Sequence, residues 1–374
     1  MQKTFCTWIG AHIIKKFFSI LLFALLFISL ISCSQRTHEA VWGGSIKDTD
    51  GFDVLMEQFS HNIEILWGRK AVLIPGPKDY INYSDQYHTR SHVDFESGRI
   101  ILSTISHVHP IFCLRKAIIN LLLMRKDSCG IDLSFENNAP EKHHKPLLYG
   151  QVLDNTGKPI DCQEMAATYA DYLIKTKREH RYSNSHVIWS VTIPMVSNHI
   201  DQRAHKYLPL VQKMAKRYGV SQSLILAIIN TESSFNPYAI SHSNALGLMQ
   251  IVQNTAGLDV FRVHGKTGQP SRRYLLDPEN NIDTGAAYLS LLQRNYLSDI
   301  KNPTSRLYAV ITAYHSGSGS VLRVFSANKN RAIYIINTLS PVEVYNVLIS
   351  KHPTAESRRY LYKVCHAKKS YNSY

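Results

Sequence analysis

The chain is poor in acids. Its 374 residues carry 28 aspartates and glutamates against 42 lysines and arginines, a formal net charge of +14. A surface of that sign favours anionic partners: nucleic acid, anionic lipid head groups or an acidic polymer. There is no basic stripe with interleaved aromatics, which argues against a nucleic-acid reader. Cysteine is scarce too, and the six present show no zinc-site spacing. His88, His92, His107, His109, His143 and His144 fit no structural zinc pattern either. No metal and no other cofactor is expected. No internal repeat or low-complexity segment stands out.

A long apolar run occurs at the start. Lys15 and Lys16 precede Phe17–Ile31, which is apolar apart from two serines. This predicts the positive and apolar regions of a secretory signal, and the run is short for a membrane-spanning helix. Leu30-Ile31-Ser32-Cys33 resembles a bacterial lipoprotein box, with residues 1–32 as the signal and Cys33 as the lipidated N-terminus. Two or more acyl chains anchor stably where one is marginal. By resemblance to the lipoprotein sorting rule, Ser34 in place of Asp favours the outer membrane, facing the periplasm. Losing the three lysines of residues 1–32, which hold no acid, still leaves +11. Export conflicts with nucleic-acid binding.

With 44% hydrophobic residues the chain has enough apolar material for two ordinary domains. Residues 33–50 read as a polar tether. From 51 to 197 the pattern is mixed α+β. Phe52, Leu55, Met56, Phe59, Ile63 and Leu66 recur at helical spacing until Pro75-Gly76-Pro77. Gln86–Phe95 and Ile100–Ile105 face each other across Glu96-Ser97-Gly98-Arg99 as a hairpin. Ile111–Lys126 and Glu164–Thr176 read as helices, Leu147–Leu153 and His186–Met195 as strands. Nothing in this half assembles a reactive constellation. Cys113, Cys129, Cys162 and Cys365 would remain after export and allow three full pairings, with isolated thiols the favoured reading.

From 198 to 374 strand signals disappear and an all-α domain is expected. Arg203–Tyr218 is a helix closed by Gly219. Asp277-Pro278 starts another, a third stripe runs from Leu307 to Tyr314, and Ser340-Pro341-Val342-Glu343 carries a capping box. Within this half lies Leu224-Ile225-Leu226-Ala227-Ile228-Ile229-Asn230-Thr231-Glu232-Ser233-Ser234-Phe235-Asn236-Pro237. Ser221 can cap this helix, and its turns are almost wholly apolar, so it should be buried on most faces. Pro237 cannot continue it. Glu232 is therefore an acid at the mouth of an apolar helix. Poor solvation raises such a carboxyl's pKa, as a general acid near neutral pH requires.

Three later segments complete a pattern: Gly247-Leu248-Met249-Gln250-Ile251, Ala313-Tyr314-His315-Ser316-Gly317 and Glu356-Ser357-Arg358-Arg359-Tyr360. In order and separation they resemble the lytic transglycosylases of goose-type lysozyme fold, with E-S-x-F-x-P, G-L-M-Q, A-Y-N-x-G and a late Tyr. The resemblance implies an α+β N-terminal domain followed by an all-α lysozyme-like catalytic domain. It implies peptidoglycan glycan strands as substrate, with Glu232 acting first as acid and then as base. By motif position it implies substrate contacts from Ser233, Met249, Gln250, Tyr314 and Tyr360. Ser234 and His315 are further candidates, and His315 replaces the family's Asn.

Physical chemistry gives these side chains fitting properties. Gly247 permits close backbone approach, Gln250 offers donors and acceptors, and Met249 offers a soft apolar surface. Most glycoside hydrolases use two carboxylates, but here Glu232 alone sits in a compelling context. The family needs no second, because a hydroxyl of the muramic sugar attacks in place of water and leaves 1,6-anhydromuramyl ends. Two alternatives stay open: a lysozyme-type hydrolase, and a catalytically weakened wall-binding lipoprotein motivated by His315.

Overall fold

The computed structural model describes residues 60–125, 145–183 and 186–373. The expected signal, Cys33, the tether, Cys129, His143 and His144 lie outside the described residues. So does the start of the helix expected from Phe52, whose described part is helical over 60–67.

The N-terminal half is built on a five-stranded antiparallel sheet, in the order β1-β2-β3-β5-β4. Its strands are β1 (Asp79–Ser84), β2 (Thr89–Asp94), β3 (Arg99–Thr104), β4 (Arg178–Ser183) and β5 (His186–Pro194). The β2–β3 hairpin forms as its alternation predicts, with Asp94 opposite Arg99. Asp94 closes the turn by accepting 2.9 Å bonds from the backbone N–H groups of Glu96 and Ser97. Two helices, α1 (Pro110–Leu122) and α2 (Gln163–Thr176), contribute to the sheet's core. Ala166, Tyr169, Ala170 and Leu173 form the buried stripe of α2, at i, i+3, i+4 and i+7 spacing. Val93, Ile100, Leu102, Ile118 and Ile193 lie in the same cluster.

One expectation for this half needs correction, and two strands went unforeseen. Leu147–Leu153 is not a strand. It is a run of turns with isolated bridges, and Gly150 sits at φ 75°. Its leucines reach the core from turns, so apolar content alone misled. The edge strands β1 and β4 escaped the sequence reading. β1 has no fully buried residue and β4 is almost wholly exposed, so neither alternates cleanly.

The C-terminal half is helical around a second apolar cluster. Helix α3 (His199–Tyr218) ends at Gly219, which takes the left-handed conformation at φ 63°. Helix α4 (Gln222–Ser233) carries Glu232. Its residues Leu224 to Ile229 are all buried, so other elements surround it. It packs against α3 and, further along the chain, α8 (Ala355–Ser370), while α5 (Pro278–Leu291), α6 (Pro303–Ser316) and α7 (Pro341–Lys351) contribute to the same apolar cluster. The caps read from sequence form: Ser221 accepts from Leu224, Asp277 from Asn280, and Ser340 and Glu343 make a reciprocal capping box. One exception to the all-helical expectation is a two-stranded ribbon, Ala245–Leu246 with Ile251–Val252, framing the Gly247–Gln250 turn.

Cys113, Cys162 and Cys365 are free thiols. Among the described residues no helix is long and apolar enough to cross a membrane. Among them, too, no three His, Cys, Asp or Glu side chains group as a metal site.

Candidate active site

Helix α4 ends before Pro237 can stop it. Ser234 and Phe235 both adopt left-handed backbone, at φ 49° and 62°. Such a conformation is uncommon for any non-glycine residue and an outlier for a bulky one. Glu232 thus sits in the last helical turn. There the helix dipole's negative end disfavours a carboxylate, in the same sense as burial.

Among the described residues the acid has one hydrogen-bond partner. Tyr360, from α8, donates its hydroxyl to Glu232 Oε1 at 2.7 Å. Burial pushes the Glu232 carboxyl up to about 7. The Tyr360 hydrogen bond and the charge of Lys78 oppose that rise, while Glu356 adds to it. Burial likewise raises the hydroxyls of Tyr314 and Tyr360 well above the ordinary tyrosine value. Both phenols therefore remain neutral donors.

Behind the acid lies the Gly247–Gln250 turn. Ser233 donates to Leu248 O at 2.8 Å and to Ile229 O at 3.1 Å. Tyr314 donates to Met249 O at 2.8 Å. Asn281, fully buried on α5, accepts from Met249 N at 2.7 Å and donates to Leu246 O and Leu275 O at 2.8 and 2.7 Å. The turn is thereby bound to α4, α5 and α6 at once.

The candidates fall into two groups. Glu232, Tyr360, Tyr314 and His315 gather around the carboxyl. The His315 ring stacks on Tyr360 with centroids 4.7 Å apart and planes 16° from parallel. Burial lowers the His315 pKa, against the raising effect of Glu356, whose carboxylate is 3.9 Å from Nε2. Gln250 donates Nε2 to Gly247 O and Ala239 O, while its buried Oε1 has no partner among the described residues.

The second group is structural in this geometry. Ser233 is fully buried and its hydroxyl is occupied by main-chain carbonyls. Met249 is also fully buried, and a Cβ on Gly285 would lie 2.4 Å from its sulfur. The sulfur therefore faces α5, not an open surface for a sugar. Ser234 is buried, and its backbone oxygen accepts from Arg203. A Cβ on Gly247 would meet Asn281 and Leu275 O, so its close approach is to α5 and the segment before it. Sequence reading missed Lys78, Arg203, Asn236 and Asn281. A polar Asn281 beside Ile282, on the apolar stripe of its helix, was the one local signal for any of them.

A helical domain with a half-buried, phenol-bonded glutamate that opens an E-S-x-F-x-P turn defines a class, and family comparison agrees. The transglycosylase SLT domain matches residues 209–337, so Tyr360 lies beyond the matched stretch. The N-terminal domain of membrane-bound lytic murein transglycosylase C matches residues 45–206. Relatives of that name are 58% identical in Serratia proteamaculans, covering 96% of this chain and 99% of the relative, and 59% in Photorhabdus laumondii, covering 92% and 96%. The chain belongs to the membrane-bound lytic murein transglycosylase C family. A solved structure, the 70 kDa soluble lytic transglycosylase of Escherichia coli, aligns at 26% identity and TM-score 0.36. It covers 47% of this chain and a quarter of that longer one.

Proposed function

We propose that this lytic murein transglycosylase cuts the β-1,4 bond between N-acetylmuramic acid and N-acetylglucosamine with Glu232 as its single acid and base. The observation that carries this is the Glu232 carboxyl, pushed to about 7 by burial and held by Tyr360 at 2.7 Å. At neutral pH such a carboxyl is readily protonated. It gives its proton to the glycosidic oxygen as the bond to the muramic anomeric carbon breaks. The resulting carboxylate takes the proton from the hydroxyl on carbon six of the same sugar. That oxygen bonds to the anomeric carbon and closes a 1,6-anhydro ring, and the carboxyl is restored. No water is consumed.

The other groups support this cycle. Tyr360 fixes one carboxyl oxygen and leaves the other for the substrate. Gln250 Oε1 is an acceptor for a sugar N–H or hydroxyl. Tyr314 and His315 wall the carboxyl, while Ser233 and Met249 act through the turn they hold. The test is mass spectrometry of peptidoglycan digested by the full-length protein in detergent. Anhydromuramyl ends are the expected product. Reducing ends would move the assignment to a hydrolase. Glu356 acts on Glu232 by charge, but its side chain is 78% exposed beside His315, a poor setting for a water-activating base.

The pH dependence has a definite sign. The Tyr360 hydrogen bond and the Lys78 charge both lower the Glu232 pKa. Tyr360→Phe or Lys78→Met therefore raises it, and the acid stays protonated to higher pH. The alkaline fall in kcat should move upward by about one pH unit in each variant. A downward move would contradict this role for Glu232.

The chain is further proposed to be a lipoprotein with acylated Cys33, anchored in the outer membrane and facing the periplasm. Residues 51–197 and 198–374 are proposed as its non-catalytic and catalytic domains. Its relatives bear the name membrane-bound lytic murein transglycosylase C, which supports an anchored protein. Cys33→Ala should abolish incorporation of labelled palmitate and release the protein from the outer-membrane fraction. Retention of label would refute the assignment.

A further inference from the structure

Arg203 is 2% exposed, and among the described residues no carboxylate pairs with it. Its guanidinium has five N–H donors and five neutral partners. Nε donates to Ser234 O at 3.0 Å and Nη1 to Gln151 Oε1 at 2.6 Å. Nη2 donates to Phe95 O at 2.6 Å. The remaining two contacts are Nη1 to Met195 Sδ at 3.7 Å and Nη2 with His199 Nδ1 at 3.1 Å. The group also lies over the Phe95 ring, 5.1 Å from its centroid. Burial lowers its pKa to about 10, so it remains a cation at neutral pH.

A buried cation with only neutral partners is costly to keep for packing alone. Its contacts explain what it does. Phe95, Gln151 and Met195 belong to the N-terminal half. Ser234 is the first residue of the left-handed turn behind Glu232. A second tie runs in parallel. Asn236, fully buried, donates Nδ2 to Pro77 O and Asp79 O, both at 3.1 Å, at the start of β1. Between the two ties lies Phe235 at φ 62°, its ring stacked on Tyr207. Strained turns of this kind persist only when their surroundings over-determine them.

We infer that Arg203 and Asn236 are positioning residues through which the N-terminal sheet holds the turn after Glu232, so that the acid keeps its dry setting and its contact with Tyr360. The N-terminal half then positions the catalytic group from a distance, without touching the substrate. This rests on Glu232 being the acid. The groups acting on its carboxyl are Tyr360 and Glu356 from α8 and Lys78 beside β1, and it acts in turn on Tyr314 from α6. Arg203 acts through the backbone of Ser234. A loosened turn admits water, and the carboxyl falls from about 7 toward its ordinary 4.5.

The test compares the full-length protein in detergent with Arg203→Met, Arg203→Lys, Asn236→Ala and Glu232→Gln. Kinetics on purified peptidoglycan are normalised to the folded fraction. Arg203→Met and Asn236→Ala should each lower kcat at least tenfold with KM within twofold. Each should also move the alkaline fall of activity to lower pH by half a unit or more. Arg203→Lys should not restore kcat, because an ammonium cannot serve Ser234 O and Phe95 O in one plane. If Arg203→Met does not fold, Asn236→Ala carries the test. Wild-type kcat and pH profile in a merely less stable variant would overturn the inference, as would a kcat loss with an unmoved profile. Turnover by Glu232→Gln would instead refute the assignment of the acid.

Discussion

Glu232→Gln should remove production of anhydromuramyl ends, lowering kcat by about 10²–10⁴, the usual contribution of a positioned acid–base. The same variant should be more stable than the wild type at alkaline pH. The carboxyl's pKa is about 7 when folded and near 4.5 when exposed. Folding therefore favours its protonated form. Below pH 4.5 both states are protonated and nothing is lost. Between 4.5 and 7 the unfolded carboxyl ionises and the folded one does not, so stability falls as pH rises. Above 7 the loss is constant, at most roughly 3–4 kcal/mol from 1.36 kcal/mol per unit. Residual solvent access at Glu232 makes that figure a ceiling. Gln has the same shape without the charge and escapes the loss. Urea midpoints at pH 8 and pH 4 test this. The variant should gain at the first and match the wild type at the second. A gain of equal size at both would mean that the buried carboxyl is not what the substitution relieves.

Gly247→Ala should be the most damaging small substitution in the catalytic half. Gly247 sits at φ 72°, and an added Cβ would lie 2.4 Å from Asn281 Nδ2 and 2.5 Å from Leu275 O. The backbone conformation costs an alanine about 1–2 kcal/mol. The clash must also displace Asn281, whose three buried hydrogen bonds hold Met249 N, Leu246 O and Leu275 O. Losing satisfaction of such groups costs about 1–3 kcal/mol. A total of roughly 2–5 kcal/mol is expected from chemical denaturation. Activity per folded molecule should fall as well, because Met249 O is the acceptor that seats Tyr314. Gly265→Ala is a fitting control. It has a similar φ of 69° but nothing within 4 Å of the added Cβ, and it should cost only the backbone term.

The difference between those glycines could not be read from the chain. Both look like turn residues, and what separates them is Asn281, 34 positions from Gly247. The same limit runs through the molecule. Helix starts were legible because a cap is written within four residues, as at Ser221, Asp277 and Ser340. Glu232 was legible because its apolar helix and the following proline are contiguous. Its phenol was legible only through a motif, since Tyr360 is 128 residues away. Arg203 and Asn236 left no local trace, because their partners lie up to 108 and 159 residues off. Edge strands β1 and β4 were hidden for another reason. Neither buries a clean face, so the period-two signal is absent. Ser233 and Met249 were recognised as motif residues, but a motif gives their place and not the direction in which they point.

The phenol that meets Glu232 comes from α8, which spans Ala355–Ser370, far along the chain from the acid. This fixes an order in time. A ribosome has already made the sheet, the acid helix and the turn at Gly247 before it reaches residue 360. Until then the carboxyl has no hydroxyl to meet it, however well the rest has folded. A part made well after the acid is the part that completes the centre. A chain cut short before Ala355 would carry the acid and still be incomplete at its heart. Competence to cut the wall is thereby tied to synthesis having passed residue 360.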